Sequence, residues 1–233
     1  MSLTLHNGST FFQHSTNRYY DGRLVIDFVA EALSLPYLPP FRRLKGKSSD
    51  HGVNFAVAGS TAIYTKFFVK NNIRVGFPFQ SIQNQIIWFN KFLEKQGCKG
   101  PLSSSPQCKA LLEDALIWVG ELGANDYAYA CMVKSSVSDD TVRKLAISSA
   151  IASMQVALLQ KVMKYVVVPG LPPTGCLPLA LSMGTNNDKD DIGCVKSVND
   201  QSSTHNAVCQ AKLQHLMKQF PAATIAYLDY WNA

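Results

Sequence analysis

The most constraining feature of this chain is a helix-period segment that runs directly into a strand-period one. Within residues 138–164, Val142, Leu145, Ala146, Ser149, Ala152, Val156, Leu159 and Val162 recur at steps of three and four. Asp139 and Asp140 sit near the start, where carboxylates suit the positive end of a helix. Tyr165-Val166-Val167-Val168-Pro169-Gly170 follows, a β-branched run closed by turn residues, which predicts a buried parallel strand. Helix then strand is one half of a crossover unit.

The same order repeats downstream. Residues 199–219 place Val208, Leu213, Leu216 and Met217 on one side of a helix, ahead of Pro221 and a second strand, Thr224-Ile225-Ala226-Tyr227-Leu228. Upstream, Ala115-Leu116-Ile117-Trp118-Val119 and Val53-Asn54-Phe55-Ala56-Val57-Ala58 are two more short apolar runs that end in glycine-containing turns. Four strands alternating with helices imply a parallel sheet covered on both faces. The Ser/Pro stretch at 103–106 and the Asn/Asp stretch at 184–191 read as surface loops. With 233 residues, 47% of them hydrophobic, the chain is long enough for one domain spanning 1–233.

Other classes are disfavoured by composition. The net charge of +6 comes from basic residues scattered along the chain without an aromatic-interleaved cluster, so nucleic acid is not an expected partner. No apolar run approaches the ~20 residues of a transmembrane helix. The amino terminus is polar from His6 onward and does not read as a signal peptide. Cys98, Cys108, Cys131, Cys176, Cys194 and Cys209 contain no C-x-x-C and no His/Cys pairing of the kind zinc requires, so no metal or other cofactor is expected. Their spacing leaves disulfide pairing open. Asn7-Gly8-Ser9 is a lone glycosylation sequon, and the sequence carries no signature of an oligomeric state.

In an open α/β sheet, ligands bind beyond the carboxyl ends of the strands. The residues there are Ala58-Gly59-Ser60, Gly120-Glu121-Leu122-Gly123-Ala124-Asn125-Asp126 and Pro169-Gly170-Leu171-Pro172-Pro173-Thr174-Gly175-Cys176. A glycine lets a backbone N–H approach a ligand closely, and an asparagine amide can aim a second N–H at the same point. Together such donors suit an oxyanion. Taken singly, each has a plain structural reading as a turn residue, a helix cap or an Asx-turn.

Taken in order along the chain, these stretches resemble the plant GDSL esterases and lipases of the SGNH hydrolase superfamily. The resemblance is carried by Asn17-Arg18, Asp21-Gly22-Arg23-Leu24-Val25-Ile26-Asp27-Phe28, Leu35-Pro36 with Pro39-Pro40, Gly52-Val53-Asn54-Phe55-Ala56-Val57-Ala58-Gly59-Ser60 and Gly123-x-Asn125-Asp126. It continues through Pro172-Pro173-Thr174-Gly175-Cys176-Leu177-Pro178, Gly193-Cys194, Asn199, His205-Asn206 and Asp229-Tyr230, and covers roughly residues 11–233.

The resemblance implies a flavodoxin-like, three-layer α/β/α fold with a parallel sheet in the order 2-1-3-4-5. It also implies hydrolysis of a small carboxylic ester by a serine nucleophile and a histidine with an aspartate behind it, the oxyanion being held by the serine N–H, a glycine N–H and an asparagine amide. Gly59 and Asn125 fall on the last two of these positions. Cys176 and Cys194 fall on a family disulfide, and the family implies secretion.

The chain departs from the family at both ends. No Gly-Asp-Ser block precedes Asn17, and no Asp-x-x-His occurs anywhere. The first strand and the C-terminal helix region are therefore expected to be missing, with Leu3 and Leu5 as a makeshift strand, and this chain alone is not expected to hydrolyse esters. The alternative is a non-catalytic module that binds an ester or acid. Ser60 lies beside Gly59, but the sequence places no base for it. His205 reads as a helix-face residue, and Gly46-Lys47-Ser48 lacks the first glycine and the flanks of a phosphate loop.

Overall fold

The structure is a computed structural model that describes residues 8–16, 18, 20–44, 49–75, 80–98, 105–159 and 163–233. Leu3, Leu5, Asn7, Asn17, Gly46-Lys47-Ser48, Ser103 and Val162 lie outside the described residues. The chain forms two compact units, Met1–Ala58 and Gly59–Ala233.

The first unit carries helices α1 (Ser9–Phe12) and α2 (Val25–Ala32). Its family-like residues build a local network. The Arg18 guanidinium donates to both oxygens of Asp27, at 2.9 and 2.7 Å, and stacks over Phe12 at 4.4 Å. Asp27 is buried, and its carboxylate also accepts the Leu24 N–H at 2.8 Å, capping α2. Arg23 pairs with Glu31 and lies 4.0 Å over the Phe28 ring. Bidentate, stacked arginines of this kind fix geometry as well as charge.

Residues 53–58, expected to be a strand, are not one. Asn54 makes only an isolated parallel bridge with Pro40, and the ladder goes no further. The Asn54 side chain accepts the Ala56 N–H at 2.8 Å, an Asx-turn that diverts a ladder donor. The two bonds of that bridge run from the Phe41 N–H to the Asn54 carbonyl at 2.9 Å and from the Asn54 N–H to the Pro39 carbonyl at 3.0 Å.

The second unit holds α3 (Thr65–Lys70), α4 (Ile82–Lys95), α5 (Pro106–Leu112), β1 (Leu116–Trp118), α6 (Ala124–Met132), α7 (Asp139–Leu159), β2 (Tyr165–Pro169), α8 (Pro178–Met183), α9 (Lys196–Gln219) and β3 (Thr224–Leu228). Its sheet is parallel in the order β1-β2-β3, with Ile117 opposite Val166 and Val166 opposite Ile225. A small parallel sheet flanked by helices is the three-layer α/β/α arrangement. Consecutive strands are neighbours, as the 3-4-5 part of the expected order requires. Three strands are present among the described residues, one fewer than the sequence implies.

Val166, Val168 and Ile225 point to one face of the sheet, where Ile147 and Met154 of α7 and Cys209, Leu213 and Leu216 of α9 cover them. Burying these side chains contributes roughly 1.5–3 kcal/mol each. The alternate residues Leu116, Tyr165 and Ala226, on the opposite face, are exposed. The α7 stripe is also rotated from its expected position. Val142, Ala146, Ile147, Ala150 and Met154 are buried, whereas Leu145 and Val156 are exposed. On α9, Val208 is exposed and the first half of the buried stripe is polar: Ser202, His205 and Asn206.

Disulfides join Cys98 to Cys108 and Cys176 to Cys194, tying α4 to α5 and bracketing α8. Cys131 is free and exposed, and Cys209 is free and buried. Among the described residues no helix is long and apolar enough to cross a membrane.

Candidate functional site

The segment 59–63 is an irregular loop gripped by side chains from α4 and α6. Gly59 has φ +77°, a left-handed conformation that only glycine adopts at little cost. A Cβ there would stand 2.7 Å from the Tyr129 hydroxyl oxygen. That hydroxyl donates to the Gly59 carbonyl at 3.0 Å. Gln85 Nε2 donates to Ser60 Oγ at 2.8 Å. Thr61 bridges to Ser81, its N–H donating to the Gln80 carbonyl at 3.1 Å and its carbonyl accepting from Ile82 at 2.9 Å.

Two consecutive residues in the first turn of α6 complete the grip. Asn125 Nδ2 donates to the Ser60 carbonyl at 2.9 Å across 65 positions. Asp126 Oδ2 accepts the Ala62 N–H at 2.9 Å and Oδ1 accepts the Ile63 N–H at 2.8 Å. Asp126 is fully buried, and loss of water pushes its carboxyl up to about 7, the two N–H donors offsetting only part of that shift. The second Nδ2 hydrogen of Asn125 is not needed for the Ser60 bond, since an amide nitrogen carries two.

Behind α6 stands α9. The Tyr127 hydroxyl and His205 Nδ1 are 2.9 Å apart, and their rings meet edge to face. His205 is 4% exposed, and burial, aided by the positive field of Arg143, pulls its imidazole down to about 4. It is therefore neutral at ordinary pH. Gly123, with φ +122°, ends the loop before α6, and a Cβ on it would lie 2.8 Å from His205 Cε1.

The turn after β2 belongs to α9 rather than to this loop. Asn206 Oδ1 accepts the Leu171 N–H and Asn206 Nδ2 donates to the Leu171 carbonyl, both at 2.8 Å. The Gly175 N–H donates to Asn199 Oδ1 at 2.8 Å, and the Gly175 carbonyl accepts from Val195 at 2.9 Å. Among the sequence-selected residues, Gly59, Ser60 and Asn125 thus come together, while Gly170, Gly175, Cys176 and Cys194 serve a separate structural knot. Among the described residues no imidazole bonds to Ser60 Oγ, and His205 Nδ1 faces Tyr127.

Several participants escape a reading of the sequence: Asp126 as a clamp, Tyr129 and Gln85 as loop anchors, and the Tyr127–His205 pair. One signal was visible in the α9 segment, where Ser202, His205 and Asn206 interrupt the helical stripe that Cys209, Leu213 and Leu216 continue. Polar residues on the buried side of a helix need partners.

The whole chain can be placed by comparison with known proteins. The family model for GDSL-like lipase/acylhydrolase matches residues 2–233. A GDSL esterase/lipase of Arabidopsis thaliana is 50% identical over 232 residues, covering 97% of this chain and 58% of that protein. Acetylajmalan esterase 1 of Rauvolfia serpentina is 38% identical over 227 residues, and sinapine esterase of Brassica napus 36% over 230, each again at 97% of this chain and 58% of the relative. The chain thus spans little more than half the length of these relatives. A match of this extent, with the motifs falling in order on the loops just described, makes the chain a member of the GDSL-like lipase/acylhydrolase family.

Proposed function

We propose that both units are parts of one SGNH hydrolase domain and that the chain supplies the oxyanion-binding half of a carboxylic ester hydrolase. In this reading the Gly59 N–H and the Asn125 side-chain amide receive the negative charge that develops on the ester carbonyl oxygen. Such donors in a water-poor site contribute roughly 3–4 kcal/mol each to the transition state of acyl transfer. A serine nucleophile and a histidine base outside these 233 residues complete the reaction, so the 233 residues do not turn over esters by themselves.

The observation that carries this reading is the Asn125 to Ser60 hydrogen bond, which brings the two donors' loops together across 65 positions. The family supports ester hydrolysis, and the relatives named for acetylajmalan and sinapine support a small ester as substrate. Two disulfides support an oxidising, extracellular setting.

The test is hydrolysis of p-nitrophenyl acetate and butyrate by the 233-residue chain and by a version extended with Gly-Asp-Ser and Asp-x-x-His segments. Turnover by the extended protein alone is expected, and should then fall by about 100-fold in Asn125→Ala. Turnover by the short chain would overturn the division of the site. Inactivity of both, with saturable binding of an ester or acid, would favour the non-catalytic module.

A further inference from the structure

The proposed donors sit on different elements, and something must fix the distance between them. Gly59 lies in an irregular loop and Asn125 on the first turn of a helix. Asn125 itself donates to the Ser60 carbonyl, and a single hydrogen bond does not by itself fix the loop's rotation about it. Asp126 supplies two more bonds, one from each carboxylate oxygen to consecutive backbone N–H groups, Ala62 and Ile63. Two parallel bonds resist rotation where one does not. The loop is thus held at one end by Asn125 and at the other by Asp126, with Thr61 bridged to Gln80 and Ile82 between them and Tyr129 and Gln85 on the flank.

From this geometry we infer that Asp126 is the positioning residue of the site, its carboxylate clamping the Ala62 and Ile63 amides so that the Gly59 N–H and the Asn125 amide converge on one point. The inference rests on the reading of Gly59 and Asn125 as oxyanion donors. Asp126 touches no substrate and acts through the loop.

The state of the carboxyl decides how well the clamp can work. Ionised, it accepts from both amides. Protonated, one oxygen becomes a donor and faces an N–H that is also a donor. Burial places this change near neutrality. The titratable and charged groups around it are Tyr127 on α6, Asp139, Asp140 and Arg143 on α7, which act on Tyr127, and His205 on α9 behind the Tyr127 ring. Among the described residues none of them forms an ion pair with Asp126, so its own ionisation governs the clamp.

The experiment has two arms. In the 233-residue chain, labelled with ¹⁵N, the Ala62, Ile63 and Gly59 amides and the Asn125 side-chain amide are followed from pH 5.5 to 8.5, beside Asp126→Asn. A shared titration near pH 7 in the parent that vanishes in the variant is expected. In the extended, esterase-competent chain, kcat for p-nitrophenyl butyrate in Asp126→Asn is expected to fall at least tenfold with KM within threefold, at a temperature where circular dichroism shows the variant folded. Misplacement of a reacting group by about 1 Å has this kind of effect.

A folded variant with unchanged kcat in an active protein would overturn the inference, because a merely structural aspartate changes stability and not turnover. Gly59 and Asn125 signals indifferent to pH in the parent would overturn it too, and this outcome counts even if the variant does not fold. If the extended parent is inactive, the oxyanion reading falls and the positioning role falls with it, however the amides titrate.

Discussion

Tyr127 and His205, 78 positions apart, share a hydrogen bond of 2.9 Å at the buried junction of α6 and α9. The bond needs a neutral imidazole or one that donates, and burial ensures the neutral form by lowering the imidazole to about 4. Next to Tyr127 in the chain, Asp126 is raised to about 7 by the same loss of water. Two titratable groups in one patch thus respond to pH in opposite senses.

The first prediction concerns His205. Its folded value lies below the ordinary imidazole value of 6.5, so its contribution to stability is present above pH 6.5 and is lost as pH falls towards 4. The full loss is about 3 kcal/mol. Chemical denaturation at a series of pH values should show stability in His205→Gln shifted, relative to the parent, towards the acid side, and an unaltered slope in the variant would contradict it.

For Asp126 the sign reverses. Its folded value lies above the ordinary carboxyl value of 3.8, so its contribution is present below about pH 3.8 and is lost as pH rises through 7. The span is on the order of 4 kcal/mol. The two contributions nearly cancel between pH 4 and 7 in the parent. Asp126→Asn should therefore steepen the acid-side loss due to His205, which denaturation curves at pH 4.5 and 7 would reveal.

Gly123→Ala should be costly for two separate reasons. The φ of +122° is hostile to a side chain, and the new Cβ would stand 2.8 Å from His205 Cε1. A loss of about 2 kcal/mol or more is expected. A thermal midpoint within a degree of the parent would show that neither constraint holds.

Asn206→Ala leaves the Leu171 N–H and carbonyl buried without their partner. Each unsatisfied group costs about 1–3 kcal/mol, so the variant should lose roughly 2–6 kcal/mol. Asn206→Asp keeps the acceptor but not the donor and should fall between parent and alanine variant in a urea titration.

Replacing Cys176 and Cys194 by serine opens a loop of sequence separation 18 that brackets α8. The entropy returned to the unfolded chain predicts a loss of about 3 kcal/mol. Reduction of the parent should lower its denaturation midpoint by a similar amount. An insensitive midpoint would indicate that the bridge contributes nothing.

The β2 and β3 strands were legible because β-branched runs bounded by turn residues have few other uses. The α7 helix was legible in its existence but not in its orientation. Apolar and small residues surround it on more than one side, so steps of three and four fit the exposed Leu145 and Val156 as well as the buried Ile147 and Met154. Residues 53–58 were misread because an apolar run does not reveal whether a neighbour exists to receive its ladder, and here Asn54 turns the chain instead. Gly59 and Asn125 were selected through their motifs, and the bond that brings Asn125 to the Gly59 loop is a tertiary fact no local pattern encodes. The clamp formed by Asp126 was hidden because an aspartate opening a helix looks like an ordinary acidic first turn.

The order in which the chain leaves the ribosome gives the grip on the 59–63 loop a further meaning. Its partners Asn125 and Asp126 are synthesised more than sixty residues later, and the His205 that backs their helix emerges 78 residues after Tyr127. The loop carrying Gly59 must wait for Asn125 and Asp126 while α3, α4, α5 and β1 are made. A nascent chain stalled before α6 would hold the sequence of this loop without the side chains that grip it.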